Sequence, residues 1–114
     1  MTRFMARQGD ILLIGVASIP EEAKLREAPE DPDGSIVLAN GEATGHRHRI
    51  AIVDRGAVLY EEEGLEDRFL EVLAEGGVDL VHEEHATIHL PPGDFIVRRQ
   101  REYEPGALPR RVAD

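Results

Sequence analysis

Strand-like alternation is clearest in HRHRIAIV (residues 46–53), where two histidines and two isoleucines occupy every second position. Successive side chains on a β-strand point to opposite faces, so both histidines share a face with both isoleucines. An apolar face of this kind packs against the interior of a domain. We therefore predict that His46 and His48 point inwards, where imidazole rings need hydrogen-bond or metal partners.

Further short apolar runs are separated by turns rich in glycine, proline, aspartate and asparagine. The predicted strands cover residues 9–17, 35–40, 46–53, 57–62, 68–74, 78–90 and 95–103. The polar stretch near residues 18–34 contains three prolines and predicts one partly helical excursion. So many strands with so little helix predict an all-β fold, a single small antiparallel β-barrel or sandwich. The expected core residues are Ile11, Leu13, Ile50, Ile52, Leu80 and Ile88.

Length and composition limit the class of protein. A chain of 114 residues predicts one domain, residues 1–114, and its 41% hydrophobic content is ample for a packed core. The chain contains no cysteine, which excludes disulfides, thiolate metal sites and cysteine nucleophiles. The net charge of -10 would repel phosphate backbones, so no nucleic-acid partner is expected.

The amino-terminal region carries no targeting signal and no membrane-spanning pattern. Its apolar run follows Asp10 and is too short to cross a bilayer. We therefore expect a cytoplasmic protein without a membrane partner. The composition is compatible with a homo-oligomer.

A second stretch with histidines is VHEEHATIHL (residues 81–90), and the two stretches together hold all five histidines of the chain. As an unbroken strand it would place His82 and Glu84 on the inward face, and His85 and His89 on the surface. A two-residue turn at its centre would instead set His82 opposite His85, but Glu-Glu suits such a turn poorly, so a bulge is favoured. A helix is disfavoured by the β-branched and Pro/Gly-rich surroundings, and the HExxH spacing of zinc proteases is missing.

Clustered imidazoles and carboxylates predict a metal site. We expect a divalent ion such as zinc, iron, nickel or manganese, because these metals accept imidazole and carboxylate ligands. The candidate ligands are His46, His48, His82 and His85. An ion with an open coordination position would polarise a small-molecule substrate or activate water, with Glu42 or Glu84 transferring the proton. Both roles stay open, a metal-dependent enzyme and a metal-binding protein without catalysis.

The glycine-led HxH strand and the later LPPGDFIV (residues 90–97) resemble motifs of the cupin superfamily of metal-binding β-barrels. The two histidines of the strand match the paired histidines of the first cupin motif, and Pro-Pro-Gly matches the Pro-x-Gly turn of the second. The resemblance covers residues 41–97 and implies a cupin-like metal-binding barrel. The chain departs from the family at Asp54, where cupins carry glutamate, and at Ile96, where they carry histidine.

Two other functions are alternatives. One is a metal-free accessory or protein-interaction module that uses the arginine-rich segment 98–111, which contains five arginines. If that segment instead packs against the acidic surface of the protein, its arginines have a structural role. The other is an RNA-processing barrel, since RQGDILLI (residues 7–14) resembles the first strand of small SH3-like toxin ribonucleases, but the acidity of the chain disfavours an RNA substrate.

Overall fold

The computed structural model describes residues 4–29, 31, 33–40, 46–51, 56–61, 67–99, 101–102 and 110–111. Short strands dominate these ranges, and one turn of 3-10 helix covers Ala23–Leu25. In chain order the strands are β1 (Met5–Gln8), β2 (Ile11–Val16), β3 (Ile36–Asn40), β4 (Arg47–Ile50), β5 (Ala57–Tyr60), β6 (Arg68–Val72), β7 (Val78–Val81), β8 (Ile88–Leu90), β9 (Gly93–Arg99), β10 (Arg101–Glu102) and β11 (Arg110–Arg111). No helix in the described ranges is long and apolar enough to cross a membrane.

The longer strands form two antiparallel sheets. One sheet has five strands in the order β1-β2-β9-β6-β5, and the other has four in the order β3-β4-β7-β8. The short strands β10 and β11 pair with each other. The prediction of an all-β, antiparallel fold is therefore confirmed. Within the described residues the sheets do not close into a barrel, so the cupin-like barrel is not confirmed.

The two sheets share a hydrophobic core. Alternation along each strand turns every second side chain into it, as with Ile11 and Leu13 of β2. Other buried members, contributed by both sheets, are Leu38, Ile50, Leu70, Val78, Leu80, Leu90, Phe95 and Val97. Burying side chains of this size contributes about 1.5–3 kcal/mol each, which holds the sheets together. Of the remaining predicted core residues, Ile88 is half-buried against the cluster and Ile52 lies outside the described residues.

The excursion expected near residues 18–34 covers part of the outer face of the five-stranded sheet. Ala23 of the helical turn packs against Tyr60, which lies on the face of β5 opposite the core. Beyond the turn, the chain pairs with the edge of β5, where the Ala28 amide donates to the Leu59 carbonyl at 2.8 Å. This pairing covers an edge strand that would otherwise expose unpaired backbone groups.

The start of the predicted strand 9–17 is a turn instead. β1 and β2 form a hairpin in which Gln8 lies opposite Ile11, so Gly9 and Asp10 make a two-residue connection. The φ angle of Gly9 is 57°, in the left-handed region that favours glycine. The prediction omitted β1, although a Gly-Asp pair between two strand-like runs is typical of a tight hairpin.

The predicted strand 78–90 is divided into β7, β8 and a loop. The register of the hairpin leaves residues 82–87 outside the ladder. Two backbone amides of this 82–87 loop donate to Nδ1 of His82. A side chain that accepts hydrogen bonds from the backbone just after it competes with strand pairing, so the expectation of an unbroken or bulged strand is wrong. A hairpin does form, with a loop longer than a two-residue turn.

Candidate functional site

Four histidines meet where β4 projects past the end of β7. β4 pairs with β7 through its last two residues, so its first half faces the 82–87 loop. Ring centroids are separated by 4.4 Å between His48 and His82, 4.5 Å between His82 and His85, 5.5 Å between His46 and His82, and 6.0 Å between His48 and His85. We call these four residues the histidine cluster.

The most deeply buried member of the histidine cluster is His48, whose side chain is 0% exposed. Its Nδ1 lies 2.8 Å from Oε1 of Gln8, and its Nε2 lies 3.3 Å from Oδ1 of Asp10. Arg99 donates from Nε to the other carboxylate oxygen of Asp10. We call Gln8, Asp10, His48 and Arg99 the buried polar network. The negative charge of Asp10 lies between two basic side chains, which offsets the cost of burying it.

Gln8 makes three hydrogen bonds, through both N–H donors and the oxygen of its carboxamide. Its Nε2 donates to the carbonyls of Leu80 and Ala86, both at 2.9 Å. Because this nitrogen donates twice, Oε1 is the acceptor for His48, and the Nδ1 of His48 carries a proton. The side chain thus joins β1 of one sheet to β7 of the other and to the 82–87 loop.

The more open side of the histidine cluster brings together His46, His82 and Glu83. Each of these residues offers one ligand atom, and the three atoms lie within 4.8 Å of one another. His46 and His82 are half-buried, while Glu83 is exposed. A second carboxylate stands beside the group, with Oε1 of Glu84 3.6 Å from Nδ1 of His46. Two imidazoles and a carboxylate are a ligand set that divalent transition metals accept.

The hydrogen bonds of His82 define its tautomer. Its Nδ1 accepts from the amides of Glu84 at 3.0 Å and His85 at 3.2 Å. A neutral imidazole that accepts at Nδ1 carries its proton on Nε2, and this Nε2 atom is buried. A metal ion at Nε2 requires that proton to move to Nδ1, and an ion at Nδ1 requires the two amides to turn away. Metal binding to His82 would therefore change the 82–87 loop.

Arg47 holds Glu83 in its ionised form. The backbone amide of Arg47 donates to Oε2 of Glu83 at 2.9 Å, and this bond lowers the pKa of the carboxyl below its usual value. The guanidinium of the same residue lies 3.1 Å from Asp31 and 3.3 Å from Asp33, and its hydrogen bonds with these carboxylates raise the pKa of Arg47. The pKa of Asp33 is held well below its usual value, first by hydrogen bonds from Ser35 and then by Arg47.

Most of the chain, residues 7–100, matches a known family, described as Domain of unknown function (DUF8820). The chain belongs to the DUF8820 family. The DUF8820 segment contains the whole histidine cluster and the whole buried polar network, from Gln8 to Arg99. Comparisons with curated proteins and with solved structures gave no match.

Four residues at this site of the DUF8820 domain were not predicted from the sequence: Gln8, Asp10, Glu83 and Arg99. Gln8 ends the strand β1 that the prediction omitted, and Asp10 lies in the turn that follows. Arg99 follows Val97 on the inward face of β9, so alternation along that strand could have indicated an inward arginine. The exposed Glu83 stands in a run of charges, where a solvated surface is the usual interpretation.

The other predicted residues are exposed or lie outside the described ranges. His89 is exposed on β8, as expected, and its Nδ1 lies 2.8 Å from Oδ1 of Asp79. Glu84, which was expected on the inward face, is exposed beside His46 because it lies in the 82–87 loop and not on a strand. Glu42 lies outside the described residues, so its role as a proton-transfer group stays a prediction.

The first two arginines of the segment 98–111 are paired with acidic residues of the DUF8820 domain. Arg98 donates to both carboxylate oxygens of Asp67, at 3.0 and 2.8 Å, and this pairing lowers the pKa of Asp67. Arg99 belongs to the buried polar network. Both contacts agree with the interpretation in which the segment packs against the acidic surface of the protein.

Proposed function

We propose that this protein binds a divalent transition-metal ion through His46, His82 and Glu83. The observation that carries the proposal is that ligand atoms of the three residues lie within 4.8 Å of one another. Two ligands about 2.1 Å from a tetrahedral zinc ion are about 3.4 Å apart, so the side chains would close by about 1.4 Å at most. The carboxylate form of Glu83, favoured by the Arg47 amide, supports the same proposal.

In this proposal His48 supports the metal site and is not itself a ligand. Both of its ring nitrogens face protein partners, Gln8 and Asp10, in the interior. His85 is a candidate fourth ligand, since its ring centroid is 4.5 Å from that of His82. The proposal thus retains His46, His82 and His85 from the sequence-based set and adds Glu83.

The chemistry of the site follows from an ion with three or four protein ligands. Zinc, iron, nickel and manganese all accept imidazole and carboxylate ligands, and a position left open would hold water or a small-molecule substrate. Glu84, 3.6 Å from His46, is the nearest candidate to accept a proton from such a water. The HxH strand is the feature shared with cupins and supports a cupin-like site by analogy. A small-molecule substrate and a cytoplasmic location complete the proposal.

The proposal is tested by titrating chelator-stripped protein with zinc, nickel, manganese and, without oxygen, ferrous ions. Binding to the folded state at a hundredfold excess over Kd should add about 2.7 kcal/mol of stability and raise the melting temperature. The shift should be smaller at pH 5.5 than at pH 7.5, because protons compete with the metal for imidazole. His46→Ala should abolish the shift, and the exposed His89→Ala should retain it.

If none of these ions changes the melting temperature of the wild-type protein at either pH, the metal proposal is wrong. The metal-free interaction module would then take its place. Its first test would be replacement of Arg98, whose side chain reaches the surface beside Asp67.

A further inference from the structure

We infer that Gln8 is the positioning residue of the site, holding the 82–87 loop against β4 so that the two halves of the metal site meet. The predicted effect of Gln8 on metal binding rests on the proposed function. One half of the site, His46, immediately precedes β4, and the other half, His82 and Glu83, comes from the loop. Gln8 is a buried polar side chain that contacts both segments, and it acts beside the direct hydrogen bond from the Arg47 amide of β4 to Glu83 of the loop.

The geometry of Gln8 suits this role. Its residue surface is 2% exposed, so its hydrogen bonds do not compete with solvent. On one side Oε1 accepts from His48 at 2.8 Å, and on the other Nε2 donates to Leu80 and Ala86 at 2.9 Å. The carboxamide has one orientation, because a flipped amide would set its oxygen against the carbonyl oxygens of Leu80 and Ala86.

The three bonds of Gln8 act on different parts of the cluster. The bond to His48 fixes the ring against which His82 packs, at a centroid distance of 4.4 Å. The bond to Leu80 holds the strand that leads into the 82–87 loop, and the bond to Ala86 holds the loop near its end. Between these two attachment points lie His82 and Glu83, so their distance from His46 depends on Gln8.

Two substitutions separate these contributions. Gln8→Met keeps the length of the side chain and removes all three bonds. Gln8→Glu keeps an acceptor for His48 and removes the donors to Leu80 of β7 and to Ala86 of the loop. Each variant should bind zinc chloride about 10–100-fold more weakly than wild type, as measured by calorimetry on folded protein.

A loss of stability alone would not weaken zinc binding by the folded protein. Leu70→Ala is the matched control, since Leu70 is a fully buried core residue of β6 and is not a member of the histidine cluster. The control should lower the melting temperature and leave the zinc Kd of the folded protein unchanged. Zinc Kd values for both Gln8 variants within about twofold of wild type would overturn the inference.

Two measurements on metal-free protein separate this inference from the proposed function. Hydrogen exchange at the amides of Glu84 and His85, which donate to His82, should be faster in both Gln8 variants. The Nδ1 proton resonance of His48 should be lost in Gln8→Met and retained in Gln8→Glu.

Unchanged exchange in the variants would overturn the positioning role even if the wild type binds zinc. If the wild type binds no metal and exchange is faster, Gln8 positions the loop and the metal consequence is rejected. If Gln8→Met does not fold, Gln8→Glu decides the outcome by the same exchange measurement.

Discussion

Replacing His48 should destabilise the metal-free protein far more than replacing His46, although the two residues are separated by a single position. The side chain of His48 is 0% exposed and lies between Gln8 and Asp10, whereas that of His46 is 24% exposed. His48→Leu is similar in volume but removes the donor to the buried amide oxygen of Gln8 and the imidazole ring beside the buried carboxylate of Asp10. Removing a partner from a buried amide oxygen costs about 1–3 kcal/mol and from a buried carboxylate more, so the two losses together should cost about 3–5 kcal/mol. His46→Ala should cost less than about 1 kcal/mol.

The expected temperature shifts follow from the size of the chain. For 114 residues, an unfolding entropy of about 2.1 cal/mol/K per residue gives about 0.24 kcal/mol/K. His48→Leu should therefore lower the melting temperature by about 13–21 °C, and His46→Ala by less than about 4 °C. Thermal melts and urea titrations in the presence of a chelator measure both values. A loss of less than about 4 °C for His48→Leu would refute the assignment of this residue to the buried polar network.

Two further predictions concern a turn and a buried phenol. Gly77 has a φ of 80°, and a Cβ there would overlap the carbonyl oxygen of Leu90, so Gly77→Ala should cost more than about 2 kcal/mol in urea unfolding. The neighbouring Gly76 has open space at its Cβ, so a Gly76→Ala cost as large as that of Gly77→Ala would contradict this reasoning. Burial, followed by a hydrogen bond to Glu71, raises the pKa of Tyr60 from 10.0 to about 12. The folded state then keeps a proton that the unfolded chain loses, so stability should fall between pH 10 and 12, and Tyr60→Phe should make this fall shallower in denaturant titrations.

Local patterns in the sequence were enough to determine the class of fold. Period-two alternation depends on backbone geometry alone, so it correctly predicted that Ile11, Leu13 and Ile50 are buried. The same rule, applied to β4, predicted an inward His48. It was wrong for residues 78–90, because the side chain of His82 binds amides that an unbroken strand would have paired.

Only the tertiary structure decided what surrounds the histidines. Gln8 meets His48 across 40 residues of sequence and Ala86 across 78, and Asp10 meets Arg99 across 89. These contacts depend on the order of strands in two sheets and on the register of each hairpin. Alternation predicts which face of its own strand a side chain occupies. It carries no information about which other strand packs against that face. The sequence by itself therefore determined that His48 would be buried. The packing of the two sheets decided that His48 is held by Gln8 and Asp10 and that His46 lies near His82 and Glu83.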